Sequence, residues 1–238
     1  MHCIAFFTYE VSFMTDITLE NIKCHIETIG CGGPVVFWGM ADRGDDSVSA
    51  VISYLREADV NCVLFAFEAA DWNSDFSPWA MHTDDFDFAG CGNVMLSWLK
   101  AAALPYMQAL FPKNDTYIIA GYSLSGLFAI WAFYVTKLFR GLVCCSASLW
   151  FEGWESYAAA ACAPCDSIVY LSLGGKEADS PNSLMASIGS KYKTQEKLCK
   201  ADKNITKTVF EMNSGGHFAN PPKRISKGII RILEELQG

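Results

Sequence analysis

The sequence predicts an α/β protein, built on a mostly parallel central sheet with helices on both faces. Apolar, β-rich runs alternate along the chain with helix-like segments, and repeated alternation of that kind builds parallel strands joined by covering helices. Composition agrees: 238 residues, 51% of them apolar, suffice for one large core. In order, strands are expected near 35–38, 62–67, 117–120, 142–146, 168–173 and 207–212, and helices near 46–58, 94–110, 124–138, 183–200 and 223–236. Residues 1–30 fit the alternation less well and are read as strands at an antiparallel edge. No repeat, linker or low-complexity tract divides the chain, so 1–238 is read as one domain. The longest irregular stretch, 68–92, carries Asp71, Trp72, Phe76, Pro78, Trp79, Phe86 and Phe88. A loop of that length in a compact domain is functional or disordered. Its aromatic content argues against disorder, and it is read as one wall of a substrate pocket.

The run Gly121-Tyr122-Ser123-Leu124-Ser125-Gly126 lies where the 117–120 strand must turn into the 124–138 helix, with a serine at the apex. A sharp strand-turn-helix with small residues two before and two after the serine is how a serine nucleophile is exposed. Gly121 and Ser125 are the small residues, although the usual pattern ends in glycine. Reading Ser125 as the nucleophile would put bulky Leu127 two positions after it, so Ser123 is the candidate. Such a string also arises by chance, and it gains weight only from residues further along the chain. The pattern requires an acid after a later strand and a histidine after the next. The 168–173 strand runs into Gly174-Gly175-Lys176-Glu177-Ala178-Asp179, and the 207–212 strand into Asn213-Ser214-Gly215-Gly216-His217-Phe218. Of 4 histidines, only His217 comes after the acid. Taken singly, a loop histidine or a glutamate beside Lys176 is an ordinary surface residue. Three residue types in the required order, each at the carboxyl end of its own strand, are a coincidence far harder to produce.

A neutral hydroxyl is a poor nucleophile at pH 7, so His217 is expected to take the Ser123 proton and a carboxylate to hold the imidazole in the useful tautomer. Because the base must be neutral, kcat/KM is expected to fall on the acid side. Glu177 is preferred to Asp179 for the carboxylate because it is nearer the strand end and has the longer reach. Asp179 precedes Ser180-Pro181-Asn182, a turn leading into a helix, and Asp166 lies before its strand. The developing oxyanion needs donors. The backbone N–H of Leu124 is one, and a second is expected from the loop after the 35–38 strand, at Gly39 or Met40. Trp79, Phe88, Tyr122, Trp150 and Trp154 are the candidate substrate-binding residues, with a core role equally open for Trp150 and Trp154.

On these stretches the sequence resembles the bacterial α/β-hydrolase-fold esterases related to the esterase D and enterochelin-esterase group. The matching segments are Pro34-Val35-Val36-Phe37-Trp38-Gly39, Asp71-Trp72-Asn73 with Phe76-Ser77-Pro78-Trp79, Ala120-Gly121-Tyr122-Ser123-Leu124 with Gly126-Leu127-Phe128-Ala129, and Ser146-Ala147-Ser148-Leu149-Trp150. Leu171-Ser172-Leu173-Gly174-Gly175-Lys176-Glu177 and Gly216-His217-Phe218 complete the set, which spans roughly residues 35 to 228. The resemblance implies the α/β-hydrolase fold and a cofactor-free serine hydrolase with Ser123 as nucleophile, His217 as base and Glu177 as acid. Ser125 stands where that group commonly has glycine or alanine, and Gly175 where it has aspartate.

A formal net charge of −8 without basic clusters argues against nucleic-acid and anionic-membrane partners. The start, Met1-His2-Cys3-Ile4-Ala5-Phe6-Phe7, has no basic flank, and Glu10 and Asp16 interrupt its apolar run, so it reads as neither signal peptide nor membrane span. The 10 cysteines are read as reduced thiols of a cytoplasmic protein. Cys144-Cys145 are read as strand packing, and Cys162-Ala163-Pro164-Cys165 as a chance CxxC without a second pair or nearby histidine, so no metal is expected. The Asn-x-Thr triplets at Asn114 and Asn204 carry little meaning in that setting. The leading expectation is hydrolysis of a small-molecule carboxylic ester through an acyl-serine. Acyl transfer or amide hydrolysis on the same residues, a non-catalytic binding protein of this fold, and a homo-oligomer all stay open.

Overall fold

The computed structural model describes residues 14–41 and 45–237. The segment 1–13, and with it the expected reading of the amino terminus, lies outside the described residues. In chain order, strands β1 (Thr15–Leu19), β2 (Ile22–Ile29) and β3 (Val35–Ala41) precede helix α1 (Asp45–Glu57) and β4 (Cys62–Ala69). The stretch 68–92 is not one loop. It folds into the short helix α2 (Trp72–Asp75) and a hairpin of β5 (Ala80–His82) and β6 (Asp87–Ala89). Next come α3 (Gly92–Trp98), a π-helical turn (Leu99–Ala103) and α4 (Leu104–Leu110), which occupy the single helix expected over 94–110. Pro105 has no N–H to return to the preceding turn, and the helix widens just before it. The chain continues through β7 (Tyr117–Tyr122), α5 (Leu124–Thr136), β8 (Gly141–Cys145), α6 (Trp154–Ala160) and β9 (Ser167–Gly174). It ends with α7 (Ser183–Ala186), α8 (Ile188–Ala201), β10 (Ile205–Asn213) and α9 (Pro221–Gln237).

Eight strands form one sheet in the order β1-β2-β4-β3-β7-β8-β9-β10. β2 pairs antiparallel with β1 and β4, whereas β4, β3 and β7 to β10 run parallel, so the expected antiparallel edge is present. Strand order reverses at β3: the chain adds β4 on one side and returns to add β7, β8, β9 and β10 on the other. Crevices for ligands form at the carboxyl ends of strands around such a switch point.

The continuous apolar runs of the parallel strands result from burial on both faces. In β3, Val35 and Phe37 enter the core on one side, and Val36, Trp38 and Met40 the core on the other. β4 repeats this with Val63, Phe65 and Phe67 against Cys62, Leu64 and Ala66. Helices α1 and α9 close one face through Val48, Val51, Leu55, Ile225, Ile229 and Ile232. On the opposite face α5 is apolar around its whole circumference and buried from Leu124 to Tyr134, as a helix enclosed on all sides must be. Among the described residues no helix is long and apolar enough to cross a membrane.

Candidate active site

β7 ends at Tyr122, and the next residue, Ser123, holds φ 59° and ψ −123° before α5 begins at Leu124. A non-glycine residue in that region costs on the order of 1–3 kcal/mol and persists only where its surroundings over-determine it. Here the Ser123 N–H donates to the Cys145 carbonyl at 3.1 Å, and its own carbonyl accepts from Leu127 N–H at 3.1 Å and Ser148 N–H at 3.0 Å. The turn is so tight that a Cβ on Gly121 would stand 2.1 Å from the Ser125 carbonyl oxygen. Ser125, the departure from the usual pattern, is buried and braces the turn. Its Oγ accepts from the Tyr122 N–H at 2.9 Å and donates to the Tyr122 carbonyl at 2.9 Å.

Glu177 opens a 3₁₀ turn (Glu177–Asp179) just beyond β9, and His217 lies in the loop between β10 and α9. The parallel register of β7, β8, β9 and β10 brings these loops to one edge of the sheet. His217 Nδ1 donates to Glu177 Oε2 at 2.8 Å, which fixes the proton on Nδ1 and leaves Nε2 facing Ser123 Oγ at 3.0 Å. The other carboxylate oxygen, Oε1, accepts from Ser146 Oγ at 2.6 Å, Gly174 N–H at 2.6 Å and Arg224 Nη1 at 3.0 Å. Burial pushes the Glu177 carboxyl up, but hydrogen bonds from His217 and Ser146, the His217 charge and the Gly174 N–H outweigh it and hold the group below its ordinary value. Asp179 is exposed, and it is Asn182, not Asp179, that caps the next helix by accepting from Leu184 N–H and Met185 N–H.

The Leu124 N–H is the first of α5 and has no acceptor within the helix. Gly39 and Met40 belong to β3 itself, which runs three residues further than expected, rather than to the loop after it. The β3–β7 ladder ends at the Gly39↔Gly121 pair while the β3–β4 ladder continues to Ala41. Beyond Gly39, the backbone on the Ser123 side therefore has no sheet partner. Ser123, His217, Glu177, Gly39 and Met40 all line one open cavity of about 620 Å³.

Aromatic rings make up much of the cavity wall. Phe88, Trp150 and Tyr122 line it, with the Phe88 and Trp150 rings 6.2 Å apart. Trp79 and Trp154 do not. Trp154 is buried in the core, donating to Gln195 Oε1 at 3.0 Å, and Trp79 stacks on it at 6.4 Å while donating to the Glu152 carbonyl at 2.9 Å. The unexpected helix α6 is the reason, since it turns Trp154 inward and gives Trp79 a surface to cover. Trp72 and Phe86, from the 68–92 stretch expected to form one wall, line the cavity too, and Trp38 and Phe218 line it without having been expected there. Phe218, which stands 78% exposed beside the His217 ring, and Trp38, next to Gly39, were legible from their neighbours alone. Ser146 and Arg224 had no such neighbour. Among the described residues no group of His, Cys, Asp and Glu is disposed to hold a metal ion.

No protein-family model matches the chain, and no curated protein matches it in sequence. Solved structures do match in shape. A siderophore hydrolase, EstA, from Aspergillus nidulans superposes with a TM-score of 0.74 at 14% identity, covering 99% of this chain and 98% of its own. An IroE-like serine hydrolase from Shewanella oneidensis gives 0.74 at 15% identity over 94% of this chain and 81% of its own. The chain has the α/β-hydrolase fold. The enterobactin esterase FES from Shigella flexneri shares it at a TM-score of 0.65 and 14% identity, over 94% of this chain and 60% of its own. Ser123 sits on the strained turn between β7, the strand beside the switch point, and α5.

Proposed function

We propose that the protein is a serine esterase, hydrolysing small-molecule carboxylic esters through an acyl-Ser123 intermediate. One observation carries the reading: an unbroken hydrogen-bonded line from Glu177 Oε2 through His217 to Ser123 Oγ, with steps of 2.8 and 3.0 Å, opening on an aromatic-walled cavity. His217 Nε2 takes the hydroxyl proton as Ser123 Oγ bonds to the ester carbonyl carbon. The imidazolium formed is stabilised by the Glu177 carboxylate, and the oxyanion by the Leu124 N–H with a β3 backbone N–H at Gly39 or Met40. Collapse breaks the bond to the alkoxy oxygen, which leaves with the His217 proton. Water, deprotonated by the same imidazole, then releases the acid and restores Ser123.

The fold relationship to a siderophore hydrolase and an enterobactin esterase makes a siderophore ester the first natural substrate to test. The aromatic walls suit an acyl or alkoxy group bearing a ring. The free thiols of the described cysteines fit a reducing, cytoplasmic setting. The test is release of p-nitrophenol from p-nitrophenyl esters of increasing chain length. The native chain should turn them over and Ser123→Ala should not; equal rates in both would contradict the reading.

A further inference from the structure

One buried guanidinium touches all three segments that carry Ser123, Glu177 and His217. Arg224 sits in the first turn of α9 at 3% exposure. A buried, unpaired charge costs several kcal/mol, so its contacts show what it is held for. Nη1 donates to Glu177 Oε1 at 3.0 Å, to Ser146 Oγ at 2.9 Å and to Tyr122 Oη at 2.9 Å. Nη2 donates to the carbonyls of Ser214 at 3.1 Å and Gly216 at 2.9 Å, in the loop that presents His217. Tyr122, the residue before Ser123, passes the contact on: its hydroxyl accepts from Arg224 and donates to the His217 carbonyl at 2.6 Å. Ser146 does likewise, accepting from Arg224 and donating to Glu177 Oε1 at 2.6 Å. Each hydroxyl has one proton to give and gives it toward the acid or the histidine loop.

The backbone is shaped around this group. A Cβ on Gly174 would lie 2.7 Å from Arg224 Nη2, from Glu177 Oε1 and from the Gly215 carbonyl, so any side chain there would displace the cluster. A Cβ on Gly228, one helical turn beyond Arg224, would lie 2.4 Å from Val143 Cγ1, which shows how closely α9 is drawn onto the sheet.

We propose that Arg224 is a positioning residue for the Ser123 site, a proposal that rests on the serine-esterase reading. By occupying Glu177 Oε1 it turns Oε2 to His217, and by holding the Ser214 and Gly216 carbonyls and, through Tyr122, that of His217, it sets the imidazole over Ser123. Its charge also sits beside Glu177 and disfavours protonation there. Among the described residues the titratable groups facing the cluster are Tyr122 from β7, Cys145 from β8, Tyr192 from α8, Glu177 and His217, while Glu211 on β10 is turned to Tyr170 and Lys227. Burial pushes the Tyr122 hydroxyl and the Cys145 thiol up to about 12, so both stay neutral in the assay range. Loss of the guanidinium charge beside Glu177 favours the protonated form of the site, which moves the acid limb of activity to higher pH.

The experiment compares Arg224→Met and Arg224→Lys with the native chain, using a p-nitrophenyl ester for kcat and KM and the rate of fluorophosphonate labelling against pH. Arg224→Met should lose on the order of 10- to 100-fold in kcat, with KM within about twofold because Arg224 does not line the cavity. Its acid limb should move up by about one pH unit. Arg224→Lys keeps the charge but cannot reach both the carboxylate and the loop carbonyls, so the limb should stay in place while kcat recovers only in part. Met and Lys variants that fall equally with an unmoved acid limb would reduce Arg224 to packing and overturn the proposal. Should Arg224→Met fail to fold, native kcat in Arg224→Lys would overturn it as well. A native chain that takes no label removes the esterase reading and this one together, whereas a native chain that labels leaves the variants to decide this one alone.

Discussion

Among the described residues three imidazoles meet a carboxylate at Nδ1, the exposed His82 with Asp87 being one, but only His217 opens on the Ser123 cavity, and the enclosed His25 is its instructive counterpart. His217 meets Glu177 at 2.8 Å and Ser123 at 3.0 Å with its side chain 31% exposed. His25, on β2, meets Asp16 at 2.6 Å and, through Nε2, Glu68 at 3.0 Å, with its side chain fully enclosed. The difference teaches that a histidine–carboxylate pair is no signature of catalysis. What distinguishes His217 is its other nitrogen, aimed at a strained hydroxyl on the wall of the cavity. His25 instead ends on a second carboxylate that Lys23 also holds at 3.1 Å, an arrangement that ties β1, β2 and β4 together. In the proposed mechanism the first cluster passes a proton, whereas the second holds an edge.

The contrast between the two histidines breaks most sharply under paired substitution. His217→Ala should cost at least about 10³-fold in esterase kcat while leaving the melting temperature near native. His25→Ala should do the reverse, keeping kcat within about twofold and costing about 2–4 kcal/mol of stability, because Glu68 loses a buried partner. Denaturant unfolding of both proteins beside their kinetics decides it. Equal kinetic loss in both would mean the edge cluster reaches the site.

A smaller effect separates the two acids near the strand end. Glu177→Gln should lower kcat on the order of 100-fold, since the amide cannot support the imidazolium, whereas Asp179→Asn should be near native. The pH dependence of stability sharpens this. The folded state holds the Glu177 carboxyl below its ordinary value, so its contribution is present above the usual carboxylate range and is lost as pH falls through the lowered folded value. The native chain should therefore lose stability on acidification more steeply than Glu177→Gln, a difference readable from melting temperatures between about pH 6 and 3. The smallest effect belongs to Ser125→Ala. It should keep activity and cost about 1 kcal/mol for the two hydrogen bonds at the turn.

Sequence reasoning reached the parts of this fold where local pattern and burial coincide. Strands β3, β4, β7, β8 and β9 are buried on both faces, so they appear as short continuous apolar runs with no competing interpretation. The order of Ser123, Glu177 and His217 was readable for a related reason: each comes directly after a strand of the parallel sheet. The region 68–92 was not, because a four-residue helix and two three-residue strands are too short to show a period. Trp79 and Trp154 looked like pocket residues because composition places an aromatic in a segment but does not aim it. Arg224 left one trace in the chain. It is a cation in the first turn of a helix, where the macrodipole disfavours positive charge, and the buried Glu177 carboxylate offsets that cost.

The proposed mechanism turns on one relation, the activation of the Ser123 hydroxyl by His217. It is tested most directly by treating the native protein with a fluorophosphonate and locating the adduct by peptide mass spectrometry. One adduct per chain is expected, on Ser123, formed at a rate that collapses in His217→Ala and is undiminished in His25→Ala. An adduct on Ser125 or elsewhere, or undiminished labelling of Ser123 in His217→Ala, would contradict it.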